Sequence, residues 1–207
     1  MRYLLLSSCL LILLGCSSKA YESLQKTTGD VSVLQKFKPN ISSVLYDAQI
    51  DVKLGGNFSE LLLLKKLPDS STRIVFANQM GLTIFDFGFN ADGSFKVYSI
   101  IKKMNKKPVI KALRKDFDLV LMRGLDSSKV SIRKNDSLTY YIFKQVKGYN
   151  TYITNNAGTE LVGMEISSKR KPVVKGIMQN YMNGIPDTIG ISHQNFRFNI
   201  GLKRIER

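Results

Sequence analysis

The sequence predicts a mainly β domain of the α+β class: a curved antiparallel sheet with one helix inserted. Two observations predict it. Apolar residues alternate with polar ones at a period of two, in short runs separated by Gly, Pro, Asn and Asp clusters, as in strands joined by turns. One stretch changes to helical spacing. After Lys102-Lys103-Met104-Asn105-Lys106-Lys107-Pro108, the residues Val109, Ala112, Leu113, Phe117, Val120 and Leu121 recur every three or four positions. About ten strands are expected, and a sheet of that many curls or closes. A helix across its concave side would cover it.

The amino terminus is a targeting segment. Met1-Arg2-Tyr3 is basic, Leu4 to Leu14 is almost unbroken apolar sequence, and the run is too short to span a bilayer. Leu13-Leu14-Gly15-Cys16 resembles the lipobox of bacterial lipoproteins. The resemblance implies that residues 1–15 are a signal peptide and that Cys16 carries acyl chains on its sulfur and amino group, a durable anchor when two or more chains are present. Cys9 leaves with the signal, so no other cysteine remains for a disulfide or a thiolate metal site. Cleavage leaves 192 of the 207 residues, enough for one well-packed domain.

Residues 16–40 are expected to be a lipid-anchored tether with a helical turn around Val31-Val33-Leu34-Phe37, closed by Pro39. Strands are expected at Tyr46–Leu54, Phe58–Leu67, Thr72–Ala77, Leu82–Phe87 and Ser94–Ile101. The helix spans about 108–122 and is ended by Gly124. Strands resume at Val130–Ile132, Leu138–Phe143, Tyr149–Thr154, Leu161–Ile166 and Pro172–Met182. Tyr181 to Pro186 reads as a loop, and Phe196, Phe198, Ile200 and Leu202 alternate in a closing strand.

Between two apolar runs, Asn78-Gln79-Met80-Gly81 forms a tight connection. Gly tolerates positive φ and the polar residues tolerate water, but Met80 is a large apolar side chain at a hairpin tip. It either folds back onto its own strands or points outward.

The chain carries little recognisable chemistry. The lone His193 follows Ser192, but no Gly-x-Ser-x-Gly elbow is present, and a surface strand position is expected for it. Asp86-Phe87-Gly88 matches a kinase triplet without the other kinase loops. Asn90-Ala91-Asp92-Gly93 looks like part of a calcium loop, yet Gly88 and Ser99 stand where carboxylates are needed. No catalytic residue, metal site or cofactor is expected, and the chain is read as a non-enzyme. The net charge of +15 has two readings: attraction to anionic head groups, or the composition of an AT-rich genome. Nucleic acid is not an expected partner.

The chain has 11 Phe, 9 Tyr and 7 Met and no Trp. Leu62, Leu64, Phe76, Ile84, Phe87, Leu113, Phe117, Phe143 and Met178 form either an ordinary core or the lining of an apolar cavity suited to acyl chains.

Lipobox, tether, alternating strands, a hairpin with an outward apolar residue and a helix together resemble the LolB family of outer-membrane lipoprotein receptors, within the LolA/LolB-like half-barrels. The local match is Asn78-Gln79-Met80-Gly81-Leu82-Thr83. Met80 takes the place of the family's protruding Leu, and Gln79 stands where the family carries Pro. Ile185-Pro186-Asp187-Thr188-Ile189 resembles its closing segment. The resemblance implies that residues 41–207 are an incomplete β-barrel with a helical lid over an apolar cavity. It also implies a function: accepting acylated lipoproteins from a periplasmic LolA-like carrier and inserting them into the outer membrane. Met80, Gln79, Gly81 and Leu82 would form the membrane-insertion loop. The protein would be a monomer, lipid-anchored at the outer membrane and facing the periplasm or displayed at the cell surface. Two alternatives stand beside it: an envelope assembly scaffold binding a protein partner, and a carrier of another lipid or glycolipid.

Overall fold

A computed structural model describes residues 20–53 and 56–205. The signal peptide, Cys16 and Leu54 lie outside the described residues. Thirteen strands form one antiparallel sheet that does not close into a barrel. In chain order they are β1 (Gln25–Lys26), β2 (Ser43–Val52), β3 (Gly56–Lys66), β4 (Thr72–Ala77), β5 (Thr83–Phe89), β6 (Phe95–Ile100), β7 (Val130–Lys134), β8 (Leu138–Lys144), β9 (Tyr149–Asn155), β10 (Leu161–Ser167), β11 (Pro172–Met182), β12 (Ile185–His193) and β13 (Phe198–Arg204). Among the described residues there is one α-helix, α1 (Lys107–Val120), which lies between β6 and β7 in the chain.

The order across the sheet is β1-β7-β8-β9-β10-β11-β12-β13-β2-β3-β4-β5-β6. The last strand therefore pairs with β2, joining two meanders, and β6 is left as an edge. Because every neighbour is antiparallel, hairpin turns alternate between two ends. The β2–β3, β4–β5, β8–β9, β10–β11 and β12–β13 turns share the end that carries Met80, called here the tip end. The β3–β4, β5–β6, β7–β8, β9–β10 and β11–β12 turns share the far end.

Period-two alternation places one face of each strand inward. Ile132, Tyr141, Tyr152, Met164, Gly176, Ile191, Ile200 and Ile50 are successive partners across β7 to β13 and β2, and all of these residues are buried. Tyr46, Leu62, Phe76 and Phe85 make a second buried row, and Val44, Leu64, Ile74 and Phe87 a third. Phe117 of α1 sits over this surface, its ring centroid 6.2 Å from Phe85 and 6.4 Å from Phe89.

Four departures from the expected elements have physical reasons. The helix ends at Val120 rather than through Gly124: Met122 itself takes the left-handed conformation at φ 47°. Asn183 and Gly184, both at positive φ, make a tight turn from β11 to β12, so the segment read as a loop is a hairpin. The segment expected to be a tether is docked from Ala20 onward. Gln25–Lys26 pairs with β7, and a 3-10 helix at Val31–Phe37 buries Leu34 and Phe37. Arg133 Nη1 holds this segment by donating to the Tyr21 and Leu24 carbonyls at 2.9 and 3.2 Å. His193 is the fourth departure.

Candidate functional site

The hairpin tip is built by Asn78. Its side-chain oxygen accepts from the Met80 and Leu82 N–H groups at 3.1 and 2.8 Å, and Gly81 takes φ +84°. The Asn78 and Gly81 backbone closes the turn at 3.0 Å. This network fixes the loop without a Pro. It sends Met80 outward, 93 % exposed, with Leu82 at 62 %. Behind the tip, Arg73 on β4 donates two hydrogen bonds to Asp86 on β5, at 2.5 and 2.7 Å, and lies 3.5 Å over the Tyr98 ring. Two strands are thereby clamped below the loop.

The interior residues are brought together. Leu62, Leu64, Phe76, Ile84, Phe87, Leu113, Phe117, Phe143 and Met178 all lie in one buried cluster beneath and around α1. They pack against each other: Phe76 meets Phe85 at 5.2 Å and Phe85 stacks on Phe87 at 4.6 Å. With α1 in this position, its Phe117 and the Phe residues of β5 fill one another's space. A depression of about 620 Å³ lies by the far-end β5–β6 turn and is lined by polar groups including Lys38, Asn90, Asp92, Asp118 and Arg123.

His193 is not a surface residue. It continues the inward row of Ile189 and Ile191, opposite Val174 on β11, and its side chain is 6 % exposed. Its Nε2 lies 2.9 Å from a carboxylate oxygen of Asp116, which is fully buried on α1. The parity of β12 carried the signal, since an inward Ile-x-Ile-x-His reads straight through to residue 193. Burial pushes the Asp116 carboxyl above its ordinary range, while the His193 hydrogen bond and charge pull the other way. The rings of Phe196 and Phe198 pack on His193 at 4.7 and 4.9 Å.

The helix is held to the sheet by few polar links. They include Asp116 to His193, the Tyr152 hydroxyl donating to the Leu119 carbonyl at 3.1 Å, and Arg123 donating to the Asn90 carbonyl at 2.6 Å. Its chain connections run to β6, an edge, and to β7, which β1 covers by only two residues. The helix is held to the sheet mainly by its buried apolar face, Leu113, Phe117, Leu119 and Val120. Among the described residues no group of His, Cys, Asp and Glu is placed to hold a metal ion.

No known family profile matches the chain, and no curated protein matches it in sequence. Its fold has solved counterparts. A LolA superfamily protein from Nitrosomonas europaea superposes with a TM-score of 0.53, at 8 % identity, over 87 % of this chain and 93 % of that one. A putative outer membrane lipoprotein-sorting protein domain from Vibrio parahaemolyticus superposes with a TM-score of 0.47, at 7 % identity, over 85 % and 90 %. The first of these defines the architecture: the chain has a LolA-like fold, a mostly β open sheet with its helix on the inside.

Proposed function

We propose that this protein is an envelope lipoprotein that accepts acylated lipoproteins from a periplasmic carrier and releases them into the outer membrane. The observation that carries the reading is an apolar half-barrel interior covered by one amphipathic helix, on a LolA-like fold. No covalent step is required. Shielding acyl chains from water is favourable in proportion to the apolar area hidden, at roughly 25 cal/mol per Å². Lifting α1 exposes the Phe76, Phe85, Phe87 and Phe117 surface to such chains. Cys16 supplies the anchor and the Asn78–Leu82 loop the contact with the bilayer, with Met80 as the side chain that enters it. The protein catalyses no reaction, and it works as a monomer.

The test uses Ser17 to Arg207, which retains every described residue, mixed with a lipoprotein-loaded carrier and then with liposomes. Wild type is expected to take up cargo and deliver it. Met80→Glu is expected to take up cargo and stall before the bilayer, because a carboxylate in the apolar boundary is strongly disfavoured. Absence of uptake by wild type overturns the reading. It would favour the second one, a scaffold that binds a protein partner, which the close packing of the Phe cluster supports.

A further inference from the structure

The three most exposed large apolar side chains, Val146, Met80 and Leu82, sit at the tip end of the sheet, with Phe196; the far end carries Met182, exposed to the same degree as Phe196. Met80 and Leu82 are on the β4–β5 turn, Val146 is fully exposed on the β8–β9 turn, and Phe196 is 46 % exposed on the β12–β13 turn. The five tip-end turns also contain Lys53, Lys147, Lys169, Arg170, Lys171 and Arg197, and no Asp or Glu.

Part of this end is demonstrably contiguous. Lys115 of α1, Val146, Lys147, Lys169 and Val173 line one shallow depression of about 420 Å³. Val173 accepts from the Gln194 N–H at 2.9 Å, which brings the β12–β13 turn alongside. Gly148 locks the β8–β9 turn against β10. It has φ +85°, and a Cβ there would lie 1.9 Å from the Ser167 carbonyl oxygen. The cations crowd one another: the Lys115 ammonium is held below the ordinary lysine range first by burial, then by Lys111, with Lys147 adding to it and Asp116 opposing. The chain also enters the fold here, since the Ala20 N–H donates to the Lys169 carbonyl at 2.9 Å. From Cys16 to Ala20 a fully extended chain reaches at most about 14 Å.

We propose that the β8–β9, β10–β11 and β12–β13 turns, with Lys111 and Lys115 of α1, are a docking surface for an anionic bilayer leaflet. Lys147, Lys169, Arg170 and Lys171 meet the head groups, while Val146 and Phe196 reach the acyl boundary. Apolar tips within a basic collar fit an interface whose phosphates lie just above hydrocarbon. A second contact region at the same end of the sheet as the Met80 loop resists rotation of the domain about a single tip. This surface does not depend on lipoprotein transfer.

The experiment is flotation of Ser17 to Arg207 with vesicles of phosphatidylcholine alone or mixed with phosphatidylglycerol, at low and high salt. Wild type is expected to bind the anionic vesicles at least about tenfold more tightly, an advantage that salt removes. Lys169→Gln/Arg170→Gln/Lys171→Gln is expected to lose on the order of 100-fold, and Val146→Ser about tenfold. Asp69→Asn at the far end should change nothing. Retained thermal unfolding midpoints show that the exposed-turn variants are folded. Equal binding to neutral and anionic vesicles, or a triple variant that binds as wild type does, overturns the proposal. So does capture of an acidic protein with no vesicle binding. A chain that binds anionic vesicles but accepts no cargo leaves this surface standing and overturns the transfer reading; the reverse result separates them the other way.

Discussion

The two ends of the sheet solve the same problem with different chemistry. Each reverses the chain five times. At the far end the polar side chains are spent on the turns themselves. Asp69 accepts from the Ser71 N–H and hydroxyl at 2.9 and 2.6 Å, and Asp92 from the Ser94 N–H at 2.8 Å. Asn135 accepts from Ser137 and Leu138 at 3.0 and 2.8 Å, and Asn155 from Thr159 at 2.8 Å. Those turns contain four acidic residues and no Lys or Arg. At the tip end Asn78 and Ser168 do the same turn-building work, yet Met80, Val146, Phe196 and the basic residues exceed what a turn needs. Turn formation explains the far end apart from Met182, which flanks the β11–β12 turn and is approached by Arg204. The surplus at the tip end is what calls for a partner, and an anionic, apolar-cored one matches it.

The largest effect expected from breaking this contrast is at its glycines. Gly148 and Gly93 have nearly the same backbone, φ +85° and +86°, at opposite ends. A Cβ on Gly93 meets nothing within 4 Å, whereas one on Gly148 runs into the Ser167 carbonyl. Gly93→Ala should therefore carry only the left-handed strain of about 1–2 kcal/mol. Gly148→Ala adds displacement of a hairpin from its neighbour and should reach about 4 kcal/mol. Urea unfolding of both variants checks this. Equal losses would mean that the β8–β9 turn is not pinned and Val146 is not rigidly presented.

A smaller effect separates the ends by pH. Burial raises Asp116, which meets His193 where β12 reaches the tip end. A carboxyl raised in the folded state contributes stability below its unfolded pKa and loses it as the pH rises through the folded value. Asp69 and Asp92 are lowered, each by its serine side-chain hydrogen bond first and the backbone bond second. Their contribution is present above the unfolded value and lost as the pH falls. Unfolding free energy measured across roughly pH 2.5 to 6 should thus show opposite trends. The advantage of wild type over Asp116→Asn should shrink with rising pH, and that over Asp69→Asn/Asp92→Asn should grow. Trends of the same sign would remove Asp116 from its buried setting between α1 and β12.

Much of this fold was legible in the sequence because period-two alternation is a local signal. Strands β2, β4, β11 and β13 follow it, while β5, β8 and β9 are apolar runs buried at successive positions, and the helix follows its 3.6-residue spacing. Two things were not legible for a single reason: they depend on which strands become neighbours. The inward position of His193 follows the parity of β12, but its partner Asp116 lies 77 positions away on a helix. The polarity of the two ends exists only once β13 pairs with β2 and carries the alternation of turns from one meander to the other. Residues 20–37 misled for a different reason. Polar composition reads as a tether, while Arg133 and the buried Leu34 and Phe37 dock the segment through contacts that alternation does not encode.

The smallest expected effect is the most discriminating for the tip itself. If Met80 and Val146 were structural, folded back onto their strands, replacing them would destabilise the domain. Met80 is 93 % exposed, its loop held by Asn78 and not by its own side chain. Removing an exposed side chain forfeits almost no buried area, so Met80→Ser and Val146→Ser should each stay within about 0.5 kcal/mol of wild type. The same variants should weaken attachment to a bilayer, because only there do the two side chains leave water. Thermal unfolding and vesicle binding of the same preparations therefore have to diverge. A loss of stability that tracks the loss of binding would return both residues to the structural role that Asn135 and Asp92 play at the other end.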